Sequence, residues 1–199
     1  MTTESTRCNW AGDDPLYIRY HDEEWGVPQT NDIKLFEKIV LEGFQAGLSW
    51  ITILRKREHF REVFDGFEPE IIVRYTDKKI AALMADPGIV RNRLKIEATI
   101  DNARAYLKLA ETDSLARLLW DIAGGKPQQN ALTGKGDMQA ETATSKAMSK
   151  ALKARGFRFV GPTTMYAFMQ SVGMVNDHFV ACHRRKECAK LAKGFVVPG

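Results

Sequence analysis

The chain has 199 residues, 44% of them hydrophobic, with 29 Lys and Arg against 25 Asp and Glu, a net charge of +4. That length can bury a full core, as one unit over 1–199 or as two packed helical lobes, and the mild positive balance permits nucleic-acid binding without requiring it. The start, MTTESTRCNW, carries no secretory signal, no run of apolar residues is long enough to span a bilayer, and three cysteines make no disulfide framework, so the expectation is a soluble, cytoplasmic, monomeric protein whose cysteines are buried, catalytic or metal-bound.

In DPLYIRYHDEEWG, Asp14 can cap a helix, Pro15 suits its first position, and Tyr17 and Tyr20 project three residues apart on one side. The following segment, which ends in LEGFQAGLSW, reads as an amphipathic helix with Leu35, Phe36, Ile39 and Val40 inward, and Glu42 falls on that apolar face. Burying an ionised carboxylate costs several kcal/mol or more unless something pairs with it. With the stripe read this way, no Lys or Arg is expected one turn away on the same face; the alternatives are a distant Arg or a Glu42 that rolls to the stripe's edge. Trp10, Tyr17, Tyr20 and Trp25 precede Glu42 and Trp50 follows it, so three of the four Trp lie in the first fifty residues. Ordinary core packing would account for the aromatics but would avoid a charge beside them. Aromatic walls around an acid suit a planar ring that is cationic or rich in N–H donors.

Helices are expected over 50–64 after a capping Ser49, then 78–85, 89–109 and 115–123, with breaks at Gly66, Pro69, 86–88 and 124–127 and a polar loop over 128–144. Strand-like alternation is nearly absent, and the fold class expected is all-α. In KALKARGFRFVGPTTMYAFMQSVG, a helix stops at Gly156 and another starts at Gly161 and Pro162, so 145–174 forms a helical hairpin. Its tip offers the free helix-start amides around Gly161, Thr163 and Thr164 to a phosphate, with Lys153, Arg155 and Arg158 nearby. Taken by itself, a plain helical hairpin would explain the same residues.

Cys8 and His21 lie near one end of the chain, and His178 and Cys182 near the other, four residues apart in HFVAC and so on one face if that stretch is helical. Two Cys and two His make a closed tetrahedral zinc set, although the first interval is not that of a zinc finger and Cys188 and His183 are competing ligands. If the four meet, the metal is structural, with no open position for a catalytic water, and it ties one end of the chain to the other. Chelation is then expected to lower thermal stability before it touches any chemistry.

The segments RCNW, DPLYIRYHDEEWGVP, LEGFQAGLSWITILRKRE, GIVRNRLKI, LKARGFRFVGPTTMYAFMQ and VNDH together resemble the DNA-3-methyladenine glycosylase I family, in order, from about residue 7 to residue 184. The loop over 133–143 and the tail after Arg184 look less like the family. The resemblance implies a helix-hairpin-helix DNA glycosylase fold and a structural zinc on Cys8, His21, His178 and Cys182. It also implies a base pocket of Glu42, Tyr20 and Trp50 with Trp10, Tyr17 and Trp25 around it. By the same resemblance, Gln45, Ala46, Gly47 and Leu48 form a turn that enters the gap left by a nucleotide flipped out of double-stranded DNA. The implied activity is base excision repair: hydrolytic release of 3-methyladenine, with Glu42 as the key acid. No Lys lies just past the hairpin where a Schiff-base nucleophile would be expected, so the enzyme reads as monofunctional. Asp177, the one Asp in that region, adjoins His178 and is expected to orient a metal ligand. A non-catalytic reader of alkylated DNA would share the pocket and hairpin, and a zinc-stapled module for a free nucleotide or a protein is a third reading.

Overall fold

A computed structural model describes residues 6–197, so the outermost residues of the 1–199 unit lie outside the described part. The elements in chain order are α1 Pro15–Glu23, α2 Asp32–Gln45, α3 Trp50–Val63, α4 Pro69–Ile72, α5 Asp77–Ala85, α6 Arg93–Ala110, α7 Leu115–Ile122, β1 Gln128–Gln129, α8 Ala143–Ala154, α9 Pro162–Ser171, β2 Val175–Asn176 and α10 His183–Lys193. The mostly helical expectation holds. β1 and β2 form one short parallel pair, Gln128 opposite Val175 and Gln129 opposite Asn176. No helix among the described residues is long and apolar enough to cross a membrane.

Local chemistry explains where the helices begin. The Asp14 carboxylate accepts from the amides of Leu16 at 2.9 Å and Tyr17 at 3.3 Å, with Pro15 at the first helical position. Asn31 starts α2 by accepting from Lys34 N at 3.0 Å. Ser49 precedes α3 as expected, but its hydroxyl pairs with that of Thr52 at 2.8 Å rather than capping a backbone amide. The helix expected from residue 89 starts only at Arg93, because the Asn92 side chain takes the Lys95 amide at 3.2 Å and fixes the boundary there. Pro69, expected as a break, opens the one-turn helix α4, and the tail after Cys182 forms α10.

One connected apolar core runs from Cys8 to Cys182, with Trp120, Phe36, Phe44, Phe60 and Phe64 among its fully buried side chains. Helix α2 lies at its centre and packs against α3, α6, α7 and α9. Its C-terminus is held by buried Lys95, whose ammonium donates at 2.8 Å to the carbonyls of both Phe44 and Ala46, satisfying two of the groups a helix end leaves open. Helices α8 and α9 pack against each other as the expected hairpin. The turn between them reaches α2 where Gly43 has no side chain; a Cβ there would lie 3.1 Å from the Phe159 Cβ.

Candidate functional site

Helices α1, α2, α3 and α9, with the start of the described chain, bring the aromatic residues and Glu42 together. A cavity of about 210 Å³ is lined by Trp10, Tyr17, Tyr20, Trp25, Glu42, Gln45 and Trp50. Neighbouring ring centroids are 5.2 Å apart for Trp10 and Tyr17, 4.8 Å for Trp10 and Trp25, 6.3 Å for Tyr17 and Tyr20, and 5.5 Å for Tyr20 and Trp50. All five aromatics named from the sequence therefore join one wall. The remaining lining was not anticipated: Ala167, Gln170 and Ser171 come from α9, and Lys135 and Met138 from the polar loop. Those loop residues carry no local pattern that could have placed them there; only the tertiary path of 128–144 does.

Glu42 is 4% exposed, and its Oε2 is buried without a hydrogen-bond partner on the protein, as is Trp50 Nε1. Burial pushes the Glu42 carboxyl above its ordinary range, opposed by Lys38. That cation corrects the sequence reading. Lys38 lies one turn before Glu42 on the same helix, with Nζ 3.6 Å from Glu42 Oε1. It also donates to the Tyr20 hydroxyl at 3.0 Å and lies 3.6 Å from the centre of a Trp50 ring. The long Lys stem allows a residue outside the apolar stripe to bring its charge inward, which a pattern of residue types does not reveal.

Cys8, His21, His178 and Cys182 are all buried, and their ligand atoms lie within 4.8 Å of one another, close enough to hold a metal ion. Cys182 Sγ is 3.5 Å from both His21 Nε2 and His178 Nδ1, and Cys8 Sγ is 3.7 Å from His178 Nδ1. The edges of a tetrahedral shell of thiolates and imidazoles around zinc are about 3.3–3.8 Å, so the spacing fits. The other ring nitrogens are held from outside: His21 Nδ1 donates to Asp22 at 2.7 Å, and His178 Nε2 donates to the carbonyl of Trp25 at 3.0 Å. Both tautomers thus aim a lone pair at the thiols. The thiols also bear on each other, Cys8 being pushed far up and Cys182 far down through their mutual hydrogen bond, so a cation is what would let both ionise. Cys188 and His183 stand outside this four-atom cluster; the latter pairs with Thr6 O at 3.2 Å and lies 3.5 Å from Asp22.

Two further expectations are corrected. HFVAC is a turn rather than a helix; Cys182 precedes α10, its amide donates to Phe179 O at 2.8 Å, and the turn still brings its Sγ to 3.5 Å from His178 Nδ1. Asp177 is fully buried, but its carboxylate bonds to none of the four candidate ligands. Its carboxylate accepts at 2.7 Å from each of Asn130, Tyr166 and Gln170, locking β2 to α9 and the polar loop. Asp22 and the Trp25 carbonyl perform the task expected of it.

The turn from Gln45 to Leu48 stands beside the cavity, with Gly47 at φ +86° and Leu48 43% exposed. Gly161, Thr163 and Thr164 form the accessible start of α9 at the hairpin tip. Arg158, expected to add positive charge nearby, is paired with Asp101 at 2.7 Å.

The family model described as methyladenine glycosylase matches residues 10–185. DNA-3-methyladenine glycosylase 1 of Escherichia coli is 49% identical over 177 residues, covering 88% of this chain and 95% of that protein. A crystal structure of a 3-methyladenine DNA glycosylase I superposes with a TM-score of 0.88 at 48% identity, covering 89% of this chain and 98% of the other. The Staphylococcus aureus 3-methyladenine DNA glycosylase I, in a structure solved for its recognition of 3-methyladenine, gives 0.86 at 37% identity over 90% of this chain and 96% of its own. With most of its length matched in both sequence and fold, the chain belongs to the methyladenine glycosylase family.

Proposed function

We propose that the protein is a DNA-3-methyladenine glycosylase acting in base excision repair, which hydrolyses the bond between 3-methyladenine and deoxyribose and leaves an abasic site. One observation carries this reading: a buried carboxylate oxygen without a protein partner, Glu42 Oε2, in a cavity walled by five aromatic side chains. That arrangement fits a planar ring presenting N–H donors. Methylation at N3 makes the base cationic, so the C1′–N9 bond breaks with its electron pair going to the base, and water adds at C1′ and gives up a proton. The leaving group needs no acid from the enzyme. Glu42 accepts hydrogen bonds from the flipped base, and stacking on Trp50, Tyr20 and their neighbours offsets the roughly few kcal/mol needed to extrude it.

We assign the turn of Gln45, Gly47 and Leu48 to the gap left in the double-stranded DNA, where Gly47 permits close approach and no Cβ contact would lie within 4 Å. The α9 start at Gly161, Thr163 and Thr164 is assigned to a backbone phosphate, completing a helix-hairpin-helix unit. Cys8, His21, His178 and Cys182 are assigned to one structural zinc, which as a closed shell takes no part in hydrolysis. The single connected core supports one unit, which we take to act as a monomer, and three buried cysteines outside any disulfide suit a cytoplasmic setting.

Chromatography of the bases released from alkylated DNA tests the activity. Free 3-methyladenine should appear with wild-type protein; binding to alkylated DNA with no released base would instead identify a non-catalytic reader.

A further inference from the structure

The Glu42 carboxylate does not face the cavity as a lone negative charge. Behind it, on the side of a second cavity of about 390 Å³, the Lys38 ammonium is 3.6 Å from Oε1, bonded to the Tyr20 hydroxyl and centred over Trp50. Tyr20 and Ser171 line both cavities, Lys38 only the rear one, and Glu42 and Trp50 only the front one. Lys38 therefore acts on the base pocket from outside it, without occupying space a ring would need. It acts on both features that would reward a cationic ring. The carboxylate is already compensated, and one face of the indole already holds a cation, which draws on the same ring quadrupole.

Building on the base-pocket reading above, we propose that Lys38 is a specificity-determining residue that weakens the pocket's preference for positive charge and widens recognition toward neutral purines bearing N–H donors. A pocket with the same walls and a lone Glu would bind by charge first and by hydrogen bonding second. Here the order is reversed, and the donor edge of the ring carries more of the discrimination.

Two probes of one ring system separate charge from shape: neutral 9-methyladenine and the permanently cationic 3,9-dimethyladeninium. Binding is read from fluorescence of the tryptophans lining the cavity. In Lys38→Met the cation should gain on the neutral ring by about tenfold, the change expected when a unit charge several ångströms away is removed at an intermediate effective dielectric. Lys38→Arg, which keeps the charge, should stay near the wild-type ratio. A ratio changed by less than about twofold in a Lys38→Met protein that melts normally overturns the proposal.

Should Lys38→Met fail to fold, pH gives the same answer in folded protein. Burial lowers Lys38 to about 8, and the charged or titratable groups facing it are Glu37 and Glu42 of α2, Tyr20 of α1, Glu24 just beyond α1 and Arg57 of α3, with Glu23 of α1, Lys34 of α2 and Arg61 of α3 lining the same cavity. The wild-type cation preference should rise as the pH passes through about 8, while Lys38→Arg, whose guanidinium keeps its proton, should stay flat. A flat wild-type ratio, or an equal rise in Lys38→Arg, also overturns it. Failure of both probes to bind would strike the base-pocket reading itself, whereas binding of both with an unchanged ratio strikes only the role of Lys38.

Discussion

Glu42→Gln separates recognition from folding most directly. The amide keeps the shape and one acceptor but loses the charge, and charge-assisted hydrogen bonds contribute about 1.5–3 kcal/mol, so release of 3-methyladenine from alkylated DNA should fall by about 10- to 100-fold. Circular dichroism should remain that of wild type; an undiminished rate removes Glu42 from the mechanism. The buried pair is also a stability cost held at a functional site. Its Lys is pushed down and its Glu up, each by desolvation, so both charged forms are disfavoured in the folded state. The double variant Lys38→Met, Glu42→Leu should therefore melt higher, by about 1–4 kcal/mol at neutral pH, while losing excision. By linkage, the lowered Lys38 means that the unfolded chain binds more protons between about 8 and its ordinary value of 10.5, so wild-type stability contributed by this group rises across that window and the double variant should lack the rise. Thermal melts at several pH values read both effects. Lys38 escaped the sequence pattern because its backbone position lies off the apolar stripe, and only the reach of its side chain brings it in.

At the scale of elements, the C-terminus of α2 and the end of α9 set the pocket's geometry. Lys95→Met would leave the Phe44 and Ala46 carbonyls without their donor, costing about 1–3 kcal/mol and loosening the turn from Gln45 to Leu48. Activity on duplex DNA should then fall more than binding of free 3-methyladenine, a contrast that calorimetry and excision assays measure together. Gly173→Ala should be more severe: Gly173 has φ +71°, and a Cβ would lie 2.4 Å from the backbone at Val27 and Pro28. Failure of that variant to give soluble folded protein is the expected outcome, read by expression and circular dichroism. Helices with a capping residue and a clear stripe, such as α1, α2 and the hairpin pair, were legible from sequence because propensity, caps and burial all agree there. The start of α6 and the HFVAC turn were not, because a single Asn side chain decides the first and a chain-end encounter decides the second. The polar loop's place over the pocket was invisible for the same reason: its position depends on contacts distant in sequence.

For the whole molecule, the cluster of Cys8, His21, His178 and Cys182 closes the chain end to end, and its binding energy would be folding energy. Purified protein should contain about one zinc per chain, and Cys8→Ala should melt well below wild type; a normal melt with far less zinc would refute the staple. Chelation is expected to lower thermal stability before it touches the chemistry, and the packing brings the two effects close together. His21 lies 5.2 Å from the ring of Trp10, and His178 lies 4.6 Å from that of Trp25, so the cluster backs directly onto two pocket walls. Chelation should change tryptophan emission and weaken 3-methyladenine binding in the same concentration range in which it lowers the melting temperature. The four candidate ligands were identifiable by residue type; their contact with the aromatic wall was not, since it arises only when distant parts of the chain meet.

The short parallel pairing carries that dependence further. Gln128 N donates to Met174 O at 2.9 Å, Asn130 N to Asn176 O at 3.3 Å and Val180 N to Leu132 O at 2.8 Å, so the strip leading to Lys135 and Met138 is laced to the backbone on both sides of His178. Amide exchange along 128–132 should consequently slow in concert with that along 176–180, and loss of a metal held by the four-residue cluster should release both segments as one cooperative unit, opening the roof of the cavity together with its back wall.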